Sequence, residues 1–136
     1  ELRACVSVIL ARKHRREAVR VAMPQDKPAC CAVRVGTDPT RELKLRVDDI
    51  AIGGLGLSLR GQEAAIAAGK TFHDCSLELP GIGLMHCTLN IVYVKEVPGG
   101  GGELRVGCHF VELPGLSREQ VRSFVARLER AQLAAG

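Results

Sequence analysis

The sequence contains no tryptophan and few other aromatic residues, with one tyrosine and three phenylalanines among 136 residues. Three of them alternate in step with the apolar residues of predicted strands, and the fourth belongs to the apolar stripe of a terminal helix, so all four are expected to face the core: Phe72, Tyr93 and Phe110, and Phe124. Barrels that bind single-stranded nucleic acid usually stack bases on exposed aromatic side chains. The scarcity of aromatics therefore counts against an OB-like nucleic-acid-binding barrel, an alternative that the basic charge of the chain keeps open.

Motifs for metal binding and for disulfides are also missing, although the chain has six cysteines. No CxxC pair occurs, and the vicinal residues Cys30 and Cys31 are too close for an ordinary disulfide. Cys75, Cys87 and Cys108 alternate in step with the aliphatic residues of their segments. This parity predicts that the three cysteines are small core residues and that the chain holds no metal.

No apolar run approaches the roughly 18 residues of a membrane-spanning helix, and the N-terminus lacks the features of a signal peptide. With 46% apolar residues in 136, the chain suits one compact domain with its own core. We therefore expect a cytoplasmic protein. The chain begins with Glu1 rather than Met, which leaves both a fragment and a processed product open.

Excess positive charge is confined to one short segment. Residues 12–20 contain five Lys or Arg and one Glu, a net charge of +4, which equals the net charge of the whole chain. General nucleic-acid or membrane binders usually spread their basic residues over a face. The run is therefore either a solvated linker or a loop that binds an anion.

Apolar and polar residues alternate along most of the chain, which predicts a β protein with one helix. Glycine-rich turns separate the expected strands at the spacing of a sandwich or barrel. The strands are expected at residues 2–8, 19–23, 29–35, 43–47, 55–59, 72–79, 84–97 and 104–111. Residues 118–132 change to a helical period, with Ser117 as N-cap and Gln120 as its capping-box partner. The apolar stripe of this helix is Val121, Phe124, Val125 and Leu128.

Apparent catalytic and nucleotide-binding motifs fail when their context is considered. The GKT at residues 69–71 lacks the first glycine of a P-loop, and no βαβ unit follows the GxG formed by Gly54 and Gly56. His86 and His109 lie on the polar parity of their strands. No nucleophile and base, and no paired carboxylates, fall in a plausible site. We therefore predict that the chain is not an enzyme.

Two features remain, the arginine cluster and the stretch DDIAIGG at residues 48–54. The planar fork of an arginine binds phosphate oxygens and matches the O6 and N7 acceptors of guanine. A carboxylate supplies the opposite half, because it accepts from the N1 and N2 donors of guanine. Arg16 and Arg20 together with Asp49 are thus candidates for binding a guanine nucleotide, and the following glycines let the backbone pass close to it.

The two features resemble the signature of PilZ domains, which is RxxxR followed by (D/N)xSxxG. Arg16 and Arg20 form RxxxR, and Asp49, Ala51 and Gly54 occupy DxAxxG. The stretches LELPG and VGCHFVEL and a terminal helix beginning LSREQVRSFV follow in the order seen in flagellar-brake-type members. The resemblance implies a mainly β fold, a six-stranded antiparallel β-barrel with a C-terminal α-helix, that binds the bacterial second messenger cyclic di-GMP.

The resemblance also implies a ligand role for each matched residue. Two arginines bind the phosphates and guanines, a carboxylate binds a guanine edge, a glycine forms the turn, and a preceding arginine assists: Arg16 and Arg20, Asp49, Gly54, and Arg15. The family serine is Ala51 in this chain, so one hydroxyl is missing. A neutral hydrogen bond contributes about 0.5 to 1.5 kcal/mol, and we therefore expect retained binding that is weaker by up to about tenfold.

The same resemblance, which covers about residues 12–131, suggests a domain organisation. Residues 1–11 are the end of a preceding domain or strand, residues 12–22 are a basic linker and switch loop that orders on ligand binding, and residues 19–132 form the barrel and helix. The implied output is contact with flagellar motor proteins at the basal body, which reduces motility. A PilZ-like protein-interaction module without nucleotide binding stays open beside the OB-like alternative.

Overall fold

The computed structural model describes residues 20–36, 41–61 and 63–135. Within these ranges the chain forms seven β-strands followed by one α-helix. The elements are β1 (Val21–Ala22), β2 (Cys30–Val35), β3 (Arg41–Ala51), β4 (Gly54–Arg60), β5 (Thr71–Leu79), β6 (Gly83–Glu96), β7 (Glu103–Val111) and α1 (Gly115–Ala135). The strand predicted at residues 2–8 lies outside the described residues, as does most of the basic segment.

Six of the strands close into a barrel in the order β3-β2-β5-β6-β7-β4, and the β3–β4 pairing joins the two ends of the sheet. Closure is possible because β3, with 11 residues, is long enough to serve two neighbours. Its first half pairs with β2 from Arg41 to Arg46, and its second half pairs with β4 from Arg46 to Ala51. All pairings are antiparallel, and the closed ring removes the unpaired edges of an open sheet. The predicted six-stranded antiparallel barrel is confirmed, with the short β1 paired to β3 in addition.

The barrel interior is filled by one face of each strand. Its most deeply buried side chains are aliphatic and include Leu45, Ile50, Leu55, Leu57, Leu77, Leu79, Leu89 and Val106. Cys75, Cys87 and Cys108 are buried in the same core together with Cys31, so the core role predicted for the three cysteines is confirmed. Among the described residues, no group of His, Cys, Asp or Glu is arranged to hold a metal ion.

Register shifts interrupt the alternation at three points of the barrel, between Val47 and Asp49, between Phe72 and Cys75, and between Ile91 and Tyr93. A β-bulge inserts one extra residue and so inverts the parity beyond it. Buried Ile91 pairs with buried Cys108, whereas Tyr93 pairs with Gly107 and therefore faces outward. The prediction that Tyr93 shares the core parity is wrong for this reason.

Helix α1 packs its apolar stripe against the barrel beside β1 and β3. The stripe residues are all buried, as predicted: Val121, Phe124, Val125 and Leu128. The side-chain amide of Gln132 donates a hydrogen bond to the Ala22 carbonyl (2.8 Å), which ties the helix to β1.

The start of α1 differs from the prediction. The helix begins at Gly115 rather than at residue 118, because the N–H of Arg118 already donates to the carbonyl of Pro114 (2.8 Å). Ser117 therefore lies inside the first turn and is not the N-cap. In the described part of the chain, no helix has the length and apolar character needed to cross a membrane.

The buried thiols make stability depend on pH. Burial raises the pKa of Cys75 to about 11 and the pKa values of Cys87 and Cys108 to about 12, from an ordinary value of 9.0. Above pH 9 the unfolded chain therefore binds fewer protons than the folded chain, and the free energy of unfolding should fall as pH rises from 9 toward 12. The slope that each thiol contributes should rise above pH 9 toward a limit of about 1.4 kcal/mol per pH unit, which is reached when the thiol is ionised only in the unfolded chain.

Urea unfolding between pH 8 and pH 10.5 measures this slope. Over this window Cys87→Ala should make the slope shallower by about 0.8 kcal/mol per pH unit on average, whatever it does to stability at neutral pH. The matched control is Thr88→Ala on the same strand, since threonine does not titrate in this range and its removal should leave the slope as in the parent. Equal slopes for the parent and Cys87→Ala would contradict the prediction.

Candidate functional site

The bulge in β3 builds an acidic centre on the outside of the barrel. Val47 faces the core and pairs with Leu57, and the register then shifts so that Asp49 pairs with Gly56. Asp48 and Asp49 both reach polar partners on the outer face. Perfect alternation would have sent one of these two carboxylates inward, whereas bulges commonly re-aim side chains at functional sites.

Two guanidinium groups hold the Asp49 carboxylate. Arg20 Nη1 donates a hydrogen bond to Asp49 Oδ1 (3.1 Å), although the residues are 29 positions apart. Arg105 Nη2 donates to the other oxygen, Oδ2. The Asp49 side chain is only 14% exposed, compared with 30% for Arg20 and 35% for Arg105. The structure thus brings together one residue from each half of the predicted motif pair, Arg20 and Asp49.

Sequence reasoning missed Arg105, which lies on β7. Besides Asp49, its guanidinium contacts Asp48 Oδ2 (3.5 Å) and interacts with the Tyr93 phenol. Partial burial lowers the pKa of Arg105, but the interactions with Asp49 and Tyr93 raise it by more, so its pKa lies above the ordinary value. The only sequence signal for Arg105 was its polar parity between Leu104 and Val106, which many surface residues share.

Two glycines make room for these side chains on the outer face. A Cβ at Gly56 would collide with Asp49 Oδ1 and would lie 2.8 Å from Arg105 Nη2. A Cβ at Gly107 would collide with the Tyr93 ring. Because Gly56 on β4 and Gly107 on β7 have no side chain, the outer face has room for the Asp49 carboxylate, the Arg105 guanidinium and the Tyr93 phenol.

Asp48 belongs to a neighbouring, more exposed cluster. Arg46 Nε donates to Asp48 Oδ1 (3.0 Å), and the Ser58 hydroxyl donates to Asp48 Oδ2. Arg46 Nη2 also pairs with Glu103 Oε1 (3.3 Å). These contacts join β3, β4 and β7 on the outer surface and support the strand on which Asp49 lies.

Ala51 and Gly54 are the paired ends of the tight β3–β4 hairpin, whose turn residues are Ile52 and Gly53. The predicted glycine-rich hairpin is confirmed. Gly54 is required for close packing as well, because a Cβ there would collide with the backbone carbonyl of Cys108. Ala51 is almost fully buried, so position 51 forms the wall of the site rather than a projecting group.

An open cavity of about 640 Å³ borders this hairpin and is lined in part by Arg20, Ala51 and Gly54. His109 and Arg118 add further basic side chains to the lining, and Glu112 adds an acidic one. Four of the predicted site residues, Arg20, Asp49, Ala51 and Gly54, thus lie at the cavity or in contact with its lining. Arg15 and Arg16 lie outside the described residues.

The arrangement suits a ligand that carries both negative charge and a row of N–H donors. Guanidinium forks bind phosphate oxygens, and a fixed carboxylate accepts from paired donors such as those on the edge of guanine. The cavity volume of about 640 Å³ lies in the usual range for small-molecule sites. A guanine nucleotide therefore fits the groups that the structure assembles.

Curated relatives of similar sequence are flagellar brake proteins. The chain is 31% identical over 134 residues to the flagellar brake protein YcgR of Thiobacillus denitrificans, covering 96% of this chain and 52% of that protein. It is 30% identical over 132 residues to the protein of the same name from Xanthomonas campestris, covering 94% of this chain and 50% of that protein. The chain spans about half the length of the curated relatives it matches.

Solved structures show the same fold. The PilZ domain with c-di-GMP of YcgR from Escherichia coli superposes with a TM-score of 0.73 at 22% identity, covering 87% of this chain and 94% of that chain. The K. pneumonia MrkH–c-di-GMP complex superposes with a TM-score of 0.77 at 13% identity, covering 87% of this chain and 54% of that chain. The sequence pattern of the PilZ domain matches residues 12–127, which is most of the chain. The chain therefore belongs to the PilZ domain family.

Proposed function

We propose that the chain is a receptor domain for cyclic di-GMP. The observation that carries the proposal is the 3.1 Å hydrogen bond between Arg20 and Asp49, because it joins the two halves of the sequence signature at one site. Cyclic di-GMP presents two phosphodiesters and two guanines, which call for guanidinium donors beside a carboxylate acceptor. The structural likeness to a PilZ domain with c-di-GMP supports the same ligand.

Each group has its own task in this proposal. Asp49 accepts hydrogen bonds from a guanine edge, and Arg16 and Arg20 bind the phosphates and guanines, with Arg15 as a helper. The hairpin that ends at Gly54 forms the wall of the site. Binding of a doubly anionic ligand needs several guanidinium groups, since each charge-assisted hydrogen bond contributes about 1.5 to 3 kcal/mol.

Ligand binding would exchange the partner of Arg20. In the structure Arg20 neutralises Asp49, so phosphate oxygens would compete with this carboxylate for the same guanidinium. Once Arg20 turns to a phosphate, Oδ1 of Asp49 can accept from guanine. Residues 12–22 would then rearrange and order on the ligand, which gives the switch an electrostatic cause.

We further propose that the output is regulation of flagellar motility in the bacterial cytoplasm. The names of the relatives, flagellar brake protein, support this role. Because the chain spans about half their length, residues 1–11 would continue from a preceding domain whose orientation the switch segment controls. Contact with motor proteins at the basal body would be the resulting effect.

A second candidate is a PilZ-like interaction module that binds no nucleotide. Two observations favour it: Ala51 replaces the family serine, and both oxygens of Asp49 already have arginine partners. Calorimetric titration with cyclic di-GMP separates the two candidates. Saturable heat of binding supports the receptor, and its absence at high ligand concentration supports the interaction module.

Arg20→Ala should weaken cyclic di-GMP binding by about tenfold to a hundredfold, because it removes a charge-assisted contact to the ligand. Isothermal titration calorimetry of the parent and the variant measures the change. The matched control is Arg34→Ala, which removes the same charge from β2, where Arg34 pairs with Glu42 at the end of β3 distant from Asp49. If the parent binds and Arg20→Ala binds equally well, the site assignment is wrong.

Ala51→Ser should strengthen cyclic di-GMP binding by up to about tenfold, since it restores one neutral hydrogen bond of about 0.5 to 1.5 kcal/mol. The change is small enough for the hairpin, where Ala51 pairs with Gly54 beside the cavity. Ala32→Ser on β2 is the control for the same substitution away from the site. An affinity that stays unchanged or falls in Ala51→Ser would show that position 51 does not face the ligand.

A further inference from the structure

We propose that Arg105 is a positioning residue of the ligand site, whose guanidinium holds the Asp49 carboxylate in the orientation that accepts both donors of a guanine edge. The inference rests on the proposed function and extends it from ligand binding to selection of the base. Arg105 is outside both sequence motifs, and its role follows from the contacts that β7 brings to the site.

Arg20 and Arg105 bind different oxygens of the same carboxylate. Arg20 donates to Oδ1 of Asp49, and Arg105 donates to Oδ2. Each carboxylate oxygen has two lone pairs, so Oδ2 can accept a second hydrogen bond while it keeps Arg105. When Arg20 turns to a phosphate, Oδ1 is released and Oδ2 stays anchored. The carboxylate then keeps its plane while both of its oxygens can accept from the ligand.

Arg105 is restrained by two neighbours besides Asp49. Asp48 Oδ2 lies 3.5 Å from its Nη1, and the Tyr93 phenol interacts with the same guanidinium. The Tyr93 ring is itself bounded by Lys95, whose Nζ lies 4.9 Å from the ring centroid. Because Arg105 contacts the carboxylates of both Asp48 and Asp49, it stays with Asp49 when ligand phosphates arrive.

The backbone is shaped around the contact between Arg105 and Asp49. Gly56 lies directly beneath it, and a Cβ there would collide with Asp49 Oδ1 and crowd Arg105 Nη2 at 2.8 Å. Exposed ion pairs usually contribute little because solvent screens them. Here the carboxylate is 14% exposed, so its orientation is set by the protein rather than by water.

A carboxylate held in one plane can select guanine. Guanine presents adjacent N1 and N2 donors, hypoxanthine keeps the N1 donor and lacks the 2-amino group, and adenine offers an acceptor at N1. A site built to accept from a donor strongly rejects the analogue without it, because its own polar group is left unpaired. Loss of Arg105 should therefore reduce discrimination between bases as well as affinity.

The test compares three variants: Arg105→Met, which keeps the stem and removes the fork, Arg105→Lys, which keeps the charge, and Arg46→Met as the control. The control Arg46→Met removes the same charge from the same face of the barrel. The ion pairs of Arg46 are with Asp48 and Glu103 rather than with Asp49. Calorimetry gives the affinity of each protein for cyclic di-GMP and for cyclic di-IMP, its hypoxanthine analogue. The ratio of the two affinities reports how well the 2-amino group is accepted.

Arg105→Met should weaken cyclic di-GMP binding by about tenfold or more and lower the affinity ratio toward one, since it removes a charge-assisted contact to Asp49. Arg105→Lys should recover part of the affinity and little of the ratio, because a lysine lacks the planar fork. Arg46→Met should lower both affinities equally and leave the ratio unchanged.

Intrinsic fluorescence gives a second measurement that needs no nucleotide. It reports on Tyr93 alone, because the chain has one tyrosine and no tryptophan. Arg105→Met should change tyrosine fluorescence in the folded protein, whereas Arg46→Met should not. In urea unfolding, Arg105→Met and Asp49→Asn should be strongly non-additive, with a coupling of about fivefold or more in the unfolding constant.

The outcomes separate this inference from the proposed function. If the parent binds cyclic di-GMP and Arg105→Met keeps the affinity ratio of the parent, Arg105 is not a positioning residue and the receptor function stands. Additive unfolding effects of Arg105→Met and Asp49→Asn would likewise overturn the inference. If the parent binds neither nucleotide, the receptor proposal fails and the inference fails with it.

Discussion

The Asp49 carboxylate, placed between two guanidinium groups, is the interaction on which the site depends. Arg20 reaches it from the segment before β1, and Arg105 reaches it from β7. A carboxylate that is largely screened from water is costly to leave unpaired, so each arginine stabilises the same group from a different part of the chain. The site therefore couples Arg20, the last residue of the basic segment, to the barrel through the side chain of Asp49.

Closure of the barrel is what allows this coupling. β3 is long enough to pair with β2 at one end and β4 at the other, and β4 in turn pairs with β7. The closed sheet places Asp49, Gly56 and Gly107 in one row across three strands. The core behind this row is mainly aliphatic and closely packed. The outer face is therefore a rigid platform on which the charged side chains are arranged. The proposed switch would therefore exchange the partner of Arg20 while the barrel keeps its arrangement.

Much of the fold could be predicted from the sequence because its apolar pattern is regular. The strands, the hairpin at Gly53 and the buried stripe of α1 follow from periods of two and of about 3.6 residues. The prediction was wrong at two places where the apolar pattern does not show the local backbone geometry. The bulge beyond Ile91 turned Tyr93 outward, and α1 began earlier than its apparent cap at Ser117.

The sequence alone determined the type of fold and the core, because these depend on the order of polar and apolar residues along the chain. It could also indicate Arg20 and Asp49, since a spaced motif links them. Only the tertiary structure decided that Arg105, 56 positions from Asp49, shares its carboxylate, and that Gly56 leaves room for the contact. Such neighbours depend on strand order, register and bulges, which arise when the sheet closes and which no local pattern encodes.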